Sequence, residues 1–284
     1  MKLLAYSKAL YSSWIYYSPD RALFDAGESV SSIMGNKSFA VERVFLSHGH
    51  TDHIAGLIGL VNIRNNAMGD KAKPLKIYYP KNNFHICELM NYLHRTNGDL
   101  SYSLEWVPLE PGDEVTVFGE RGTRNARFVR AFSTEHARHE ISLGYNVLER
   151  RKKLKPEYRD LRQEEIEELA RQGKRDQLLH SYHKIVFAYG GDSVPLDPAK
   201  VEGAELLVHD ATFLKEEDRK EFKHATLEEA VDVGKRADVE KMLAFHVSSR
   251  YKDSLEEVER RIHREKDFDF ELTIVPPGRI FRSG

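Results

Sequence analysis

Between Ser47 and His53 the chain reads Ser47-His48-Gly49-His50-Thr51-Asp52-His53, which sets four potential metal ligands within six residues, from His48 to His53. Imidazole and carboxylate donors without a thiolate suit zinc first, with manganese or iron as alternatives. His48 and His50 are two apart and can point the same way. Asp52 and His53 follow a turn and can point elsewhere, so the stretch could serve two adjacent metals. A polar loop that merely happens to hold three histidines is the plainer alternative, but four ligand types in six residues is far from average composition. More ligand types close other apolar runs: Asp25, His136, Asp192, the pair His209-Asp210, and His246. Too many runs end in His or Asp for solvent exposure alone to explain. Strand ends converging on one edge would bring these residues together, although spacing along the chain does not say which of them meet.

The elements that must position them follow from hydrophobic pattern. Arg43 to Leu46 reads as a buried strand and Ile54 to Leu60 as the first turns of a buried helix. The ligand loop thus leaves a strand end, where α/β layers place chemistry. Leu3 to Tyr6, Ala22 to Phe24, Lys76 to Tyr79, Arg127 to Phe132, Ile185 to Tyr189, Leu206 to Val208 and Met242 to Phe245 are further strand candidates. Ser18-Pro19-Asp20 reads as a turn, Lys71 to Pro74 as a loop, and residues 54–66 and 82–95 as helices. Residues 150–184 are polar, with a basic run from Arg150 to Lys155 and a polar helix expected from Gln163 to Gln172, and read as a surface insertion. Thr226-Leu227-Glu228-Glu229 and Ser254-Leu255-Glu256-Glu257 both fit a capping box. Phe270 to Val275 and Arg279 to Phe281, around Pro276-Pro277-Gly278, suggest a β-hairpin. Two β-rich halves of similar layout suggest an α/β class fold, two face-to-face sheets with helices outside: an αββα four-layer sandwich. The expected organisation is a single domain over 1–284 with the charged insertion at about 150–184.

Composition narrows the classes. With 284 residues, 40% hydrophobic and 31% charged at net charge −2, the chain can bury a full core, and the balance excludes a globally basic nucleic-acid binder. The one cysteine, Cys87, permits no intramolecular disulfide and reads as a small core residue. No apolar run approaches the roughly 18 residues of a membrane span, and the N-terminal segment lacks a signal-peptide core. The expected setting is cytoplasmic, without membrane contact.

His48-Gly49-His50-Thr51-Asp52-His53 matches the HxHxDH signature of the metallo-β-lactamase superfamily. Phe187 to Ser193 resembles its GDT stretch. Leu206 to Phe213 resembles the "HEATF" stretch of ribonuclease Z, His224-Ala225-Thr226 its "HST" motif, and Phe245 to Tyr251 its "HFSxRY" stretch. His136 to Tyr145 resembles the histidine-then-Gly-Tyr segment of the same enzymes. The first motif marks only the superfamily, whereas the ensemble is specific to the ribonuclease Z group. The resemblance implies an αββα fold and two Zn2+ ions, with Mn2+ or Fe2+ as alternatives. It implies one metal on His48, His50 and His136 (preferred over the nearby His139), the other on Asp52, His53 and His246, and Asp192 bridging. It implies Asp52 as base and His224, oriented by Asp210, as the proton donor to the departing 3′-oxygen of a phosphodiester. RNA, as precursor tRNA, or a small phosphodiester is the implied substrate, and a homodimer the implied assembly. Asp210 stands where the family has Glu, Ala225 where it has Ser, and Ser193 where it has Thr. Neither the glycine-rich first turn nor the Gly/Pro-rich arm of the family is recognisable.

A hydrolase of another ester class, such as a thioesterase or lactonase, and a non-catalytic metal- or RNA-binding scaffold are the competing readings. Among residues outside the main set, His209 could touch the site and Asp25 with Glu28 could support the metal loop. His85, His94 and His263 read as surface or core positions, and His180 and His183 as solvated loop residues flanking the insertion.

Overall fold

The computed structural model describes residues 3–68, 73–120, 122–123, 125–136 and 140–283. The apolar runs form two seven-stranded mixed sheets. The first contains β1 (Leu3–Lys8), β2 (Ser12–Tyr17), β3 (Ala22–Phe24), β4 (Arg43–Phe45), β5 (Leu75–Pro80), β6 (Leu104–Leu109) and β14 (Ile280–Ser283), ordered β14-β1-β2-β3-β4-β5-β6. The second contains β7 (Glu114–Phe118), β8 (Arg127–Thr134), β9 (Ser142–Leu154), β10 (Leu179–Tyr189), β11 (Leu207–Asp210), β12 (Lys241–Phe245) and β13 (Glu271–Ile274), ordered β13-β12-β11-β10-β9-β8-β7. Strands β3 to β6 run parallel, as do β10 to β13.

Helices α1 (Val30–Met34), α2 (Thr51–Ile54), α3 (Gly56–Met68) and α4 (Phe84–Thr96) follow strands of the first sheet. Val30, Leu57, Leu60, Val61, Ile86 and Leu93 pack there against Leu23, Val44 and Ile77. Helices α5 (Gln163–Leu169) and α6 (Arg175–Leu178) lie between β9 and β10; α7 (Leu227–Arg236) and α8 (Leu255–Glu265) cover the second sheet, with Ala230, Val233, Val258 and Ile262 in its outer core. The expected αββα sandwich is therefore observed. Between the sheets, Phe24 and Phe45 meet Tyr145, Phe187 and Tyr189; the Phe24 and Phe187 centroids are 5.0 Å apart. Such ring pairs add specific geometry to a large buried area.

Several expectations change. Residues 270–281 are no hairpin: β13 pairs with β12 in one sheet and β14 with β1 in the other. Pro276-Pro277 cannot donate to a ladder, so the chain crosses between layers there. Thr226 forms its capping box with Glu229, but Ser254 does not cap α8; its hydroxyl donates to the Tyr251 carbonyl at 3.2 Å instead. The insertion is narrower than 150–184. Strand β9 runs on to Leu154 and β10 starts at Leu179, so the basic run and His180 and His183 belong to a strand pair. The polar helix expected over Gln163 to Gln172 is α-helical over Gln163–Leu169 and continues as a π-helical stretch, Ala170–Lys174. Residues 71 and 72 of the expected loop lie outside the described residues. Among the described residues no helix is long and apolar enough to cross a membrane.

Candidate metal centre

In open α/β sheets, ligands bind beyond the carboxyl ends of parallel strands. Here β3 ends before Asp25, β4 before Ser47 and His48, β10 before Asp192, β11 at Asp210 and β12 before His246. Tyr145, near the start of β9, is paired with Tyr189 at the end of β10. The β8–β9 turn holding His136 thus opens on the same edge. Asp25 and His246 have φ of 56° and 59°, a left-handed conformation that Asp and His tolerate better than most residues. The ligand loop is pinned by close backbone approach. A side chain on Gly56 would come within 2.0 Å of the Gly27 carbonyl, and one on Gly27 within 2.2 Å of the Asp52 carbonyl.

Among the described residues convergence yields three groups of donor atoms, each within 4.8 Å: His48, His50 and His136; Asp52, His53, Asp192 and His246; and Asp192, Asp210, His224 and His246. His50 Nδ1 faces His136 Nε2 at 3.2 Å. The Asp192 Oδ2 atom lies 3.2 Å from His53 Nε2 and 3.3 Å from His246 Nε2. His139 lies outside the described residues.

Two buried aspartates orient this set. Asp25 accepts from Ser47 N–H and Ser47 Oγ, each at 2.7 Å, from His53 Nδ1 at 2.7 Å and from Tyr189 Oη at 2.6 Å. Since Ser47 Oγ donates to Asp25, it accepts from His48 Nδ1 at 2.9 Å. These bonds put the protons of His48 and His53 on Nδ1 and leave both Nε2 lone pairs facing the centre. Asp210 does the same on the other sheet. Its Oδ1 accepts from Thr212 N–H and Oγ, its Oδ2 from Ser193 N–H at 3.1 Å and His224 Nδ1 at 2.7 Å. Thr212 Oγ in turn accepts from His246 Nδ1 at 2.9 Å. The His136 ring donates from Nδ1 to the Lys223 carbonyl at 2.9 Å.

The residues fit divalent metal ions. His48 Nε2, His53 Nε2 and Asp192 Oδ1 are buried polar atoms without a hydrogen-bond partner, and such atoms are costly unless a ligand satisfies them. Burial, with His53 nearby, holds His48 well below its ordinary pKa, and burial lowers His50 and His136 too. Burial opposes protonation of His53, but the Asp192 and Asp25 carboxylates outweigh it and raise its pKa well above the usual value. Burial would raise Asp192, yet His246 and His53 hold it well below the usual carboxylate range. The cluster is short of positive charge, as a metal-binding donor set is.

His224 differs from the rest. Burial lowers its pKa, but the adjacent Asp210 overrides this and lifts it to about 9. Its ring stacks on His246 with centroids 5.3 Å apart. Nδ1 is committed to Asp210, so Nε2 is the atom free to carry a proton toward the centre.

His209 does not reach the cluster. Its Nδ1 donates to the Asp210 carbonyl at 2.7 Å, and its Nε2 accepts from Leu196 N–H at 3.1 Å. Asp25 supports the metal loop as expected, whereas Glu28 is exposed and offers its carbonyl to Ser12. His85 lies at the rim of the centre, beside Gly49 and 3.4 Å from Glu140; His94 and His263 are exposed on helices. Ser47, Tyr189 and Thr212 carry site geometry that sequence reading missed. Ser47 directly precedes His48 and Thr212 stands two residues after Asp210, which is the one signal that could have found them.

The Metallo-beta-lactamase superfamily model matches residues 12–126. Ribonuclease Z from Natronomonas pharaonis is 30% identical over 269 residues, covering 85% of this chain and 82% of that protein. Ribonuclease Z from Archaeoglobus fulgidus is 31% identical over 267 residues, covering 84% and 81%. Among solved structures, human tRNase Z short form superposes with TM-score 0.63 at 18% identity, over 99% of this chain and 98% of that one. The metallo-beta-lactamase fold protein YhfI from Bacillus subtilis gives 0.66 at 18% identity, over 99% of both chains. The structural likenesses speak for the fold, while identity near one third over more than four fifths of the curated relatives speaks for descent: the chain belongs to the ribonuclease Z family of the metallo-β-lactamase superfamily.

Proposed function

We propose that the chain is a zinc-dependent endoribonuclease that cuts precursor tRNA at its 3′ end. Residues 1–284 would form a single catalytic domain, and a homodimer in the cytoplasm is the setting the ribonuclease Z resemblance implies. One Zn2+ would be held by His48, His50 and His136, the other by Asp52, His53 and His246, with Asp192 shared between them. Bound metal ions would make water nucleophilic at neutral pH and offset the charge developing on the phosphate.

The side chains supply the rest. Asp52 lies at the rim of the cluster, its Oδ2 3.5 Å from His246 Nε2. Burial would raise its pKa, but His246 and His53 keep it low, so it stands ionised to accept a proton from the attacking water. Asp25 fixes the ring of His53 directly and that of His48 through Ser47. Asp210 keeps His224 protonated across neutral pH, and His224 Nε2 gives that proton to the departing 3′-oxygen. Asp is one methylene shorter than the family's Glu, yet it reaches His224 at 2.7 Å.

The observation that carries this reading is the His224–Asp210 pair beside the donor cluster. A metal store needs no charged proton donor there, whereas phosphodiester cleavage with a poor leaving group does. The test is elemental analysis of the purified chain, followed by a panel of 3′-extended precursor tRNA, cyclic nucleotides, thioesters and lactones. Cleavage of the precursor, abolished in Asp52→Ala, is the expected result. Turnover of a thioester or lactone with no phosphodiester cut would sink the reading.

A further inference from the structure

Resting on the endoribonuclease reading, we infer that the ring of Phe222 is the shelf on which the base of the last retained nucleotide stacks. That nucleotide is the one whose 3′-oxygen leaves. Phe222 lies on the loop between β11 and α7 and is 63% exposed. Its support is built from ion pairs. The Arg219 guanidinium lies over the ring, 4.6 Å from its centroid. Arg219 is itself held by both Glu216 oxygens at 2.7 Å, by Glu229 at 2.6 and 2.8 Å and by the His224 carbonyl at 3.1 Å. One ring face is thus backed by a fixed cation, and the other is left to solvent. A bare aromatic face on an ionic pedestal is suited to a nucleobase, because any base can stack on it and the arginine adds a cation–π contribution.

Its position selects which base. Phe222 shares a cavity of about 540 Å³ with His136, Glu221 and Lys223. It also lines a second cavity of about 610 Å³ that includes Thr134, Pro195 and Leu196. Thr134 Oγ is buried there without a hydrogen-bond partner. His224 is two residues further along the chain, and its proton goes to the leaving 3′-oxygen. The nucleoside bearing that oxygen therefore lies on the His224 side of the centre. Phe213 also approaches His224, with centroids 6.3 Å apart, but it is only half-exposed. The second cavity is lined by Glu135, Asp197, Glu229 and Asp232, of which Glu229 is paired with Arg219 and Asp232 with Lys266; carboxylate oxygens there can accept from the amino groups of a base edge.

The experiment compares wild type, Phe222→Ala and Phe222→Tyr on precursor tRNA that is intact or abasic at the last retained position. Affinity and cleavage are both measured, with thermal melts and metal content as fold controls. Phe222→Ala should weaken binding and raise KM about tenfold, while Phe222→Tyr stays near wild type. Wild type should lose the same factor on the abasic RNA, and Phe222→Ala should lose nothing further. Unchanged affinity in Phe222→Ala, or two losses that multiply, overturns the inference. RNA that is bound but not cut refutes the endoribonuclease reading alone, since the affinities still decide the stacking. Failure of wild type both to bind and to cut overturns the two together.

Discussion

At the scale of single residues, two buried aspartates organise the centre, one from each sheet. Asp25 gathers four donors, from Ser47, His53 and Tyr189, and Asp210 gathers donors from Ser193, Thr212 and His224. Replacing Asp25 by Ala leaves its donors buried and unpaired. It should cost about 3–5 kcal/mol of stability and about 10–100-fold in metal affinity, read by thermal unfolding and zinc titration. His224→Ala should act on chemistry instead. RNA cleavage should fall about 10²–10⁴-fold in kcat, with metal content kept. An activated ester such as bis(p-nitrophenyl) phosphate, whose leaving group needs no proton, should lose far less. Equal losses on both substrates would remove His224 from the proton-donor role.

At the scale of elements, the β9–β10 pair separates two tasks. Its site end is held by Tyr145 against Tyr189, and its other end by Leu154 against Leu179. The charged segment between Leu154 and Leu179 therefore projects from the end of the sheet opposite the donor cluster. Lys155 N–H donates to the Leu178 carbonyl at 2.9 Å, so the two strands lie close enough for a short turn to join them. Deleting residues 155–178 and closing the gap with a tight turn should leave small-phosphodiester turnover within about twofold of wild type. Loss of that turnover in a folded deletion variant would contradict the separation. Thr226 belongs to the same scale. It starts α7 with a reciprocal capping box directly after His224-Ala225. Thr226→Ala should cost about 1 kcal/mol, visible as a lower denaturant midpoint.

At the scale of the molecule, the two sheets meet through rings that end at the centre. Phe24, Phe45, Phe187 and Tyr145 fill the interlayer, and Tyr189 passes from that core to Asp25 through its hydroxyl. Packing between the sheets and geometry at the metals are therefore linked. Without cations, the buried Nε2 of His48 and the buried Oδ1 of Asp192 have no hydrogen-bond partner. A chelator should lower the thermal midpoint and zinc should restore it, because a ligand that binds only the folded state stabilises it by mass action. Bound at about a thousand times its dissociation constant, it contributes about 4 kcal/mol. His48→Ala should show a much smaller response to the chelator.

The sequence by itself determined the donor inventory and most elements. Hydrophobic period marks strands locally, and His and Asp at their ends are visible without any tertiary contact. His48 to His53, His136, Asp192, Asp210 and His246 were named from strand ends and converge, whereas His209, named the same way, faces elsewhere; His224 was named only through the ribonuclease Z resemblance. Local pattern could not decide which sheet a strand joins. Phe270 to Phe281 reads as a hairpin, yet its strands part into different layers, because pairing depends on partners far along the chain. Nor could it separate a polar insertion from the polar strand ends flanking it, since a strand pair projecting into solvent has no buried face to leave a period. The roles of Ser47, Thr212 and Tyr189 were hidden for a related reason. A hydroxyl is an ordinary residue until the fold sets it between a carboxylate and an imidazole, as Ser47 and Thr212 are set at 2.7 to 2.9 Å. The residue types fixed which chemistry was available; the crossing of two sheets at their strand ends decided which atoms face one another.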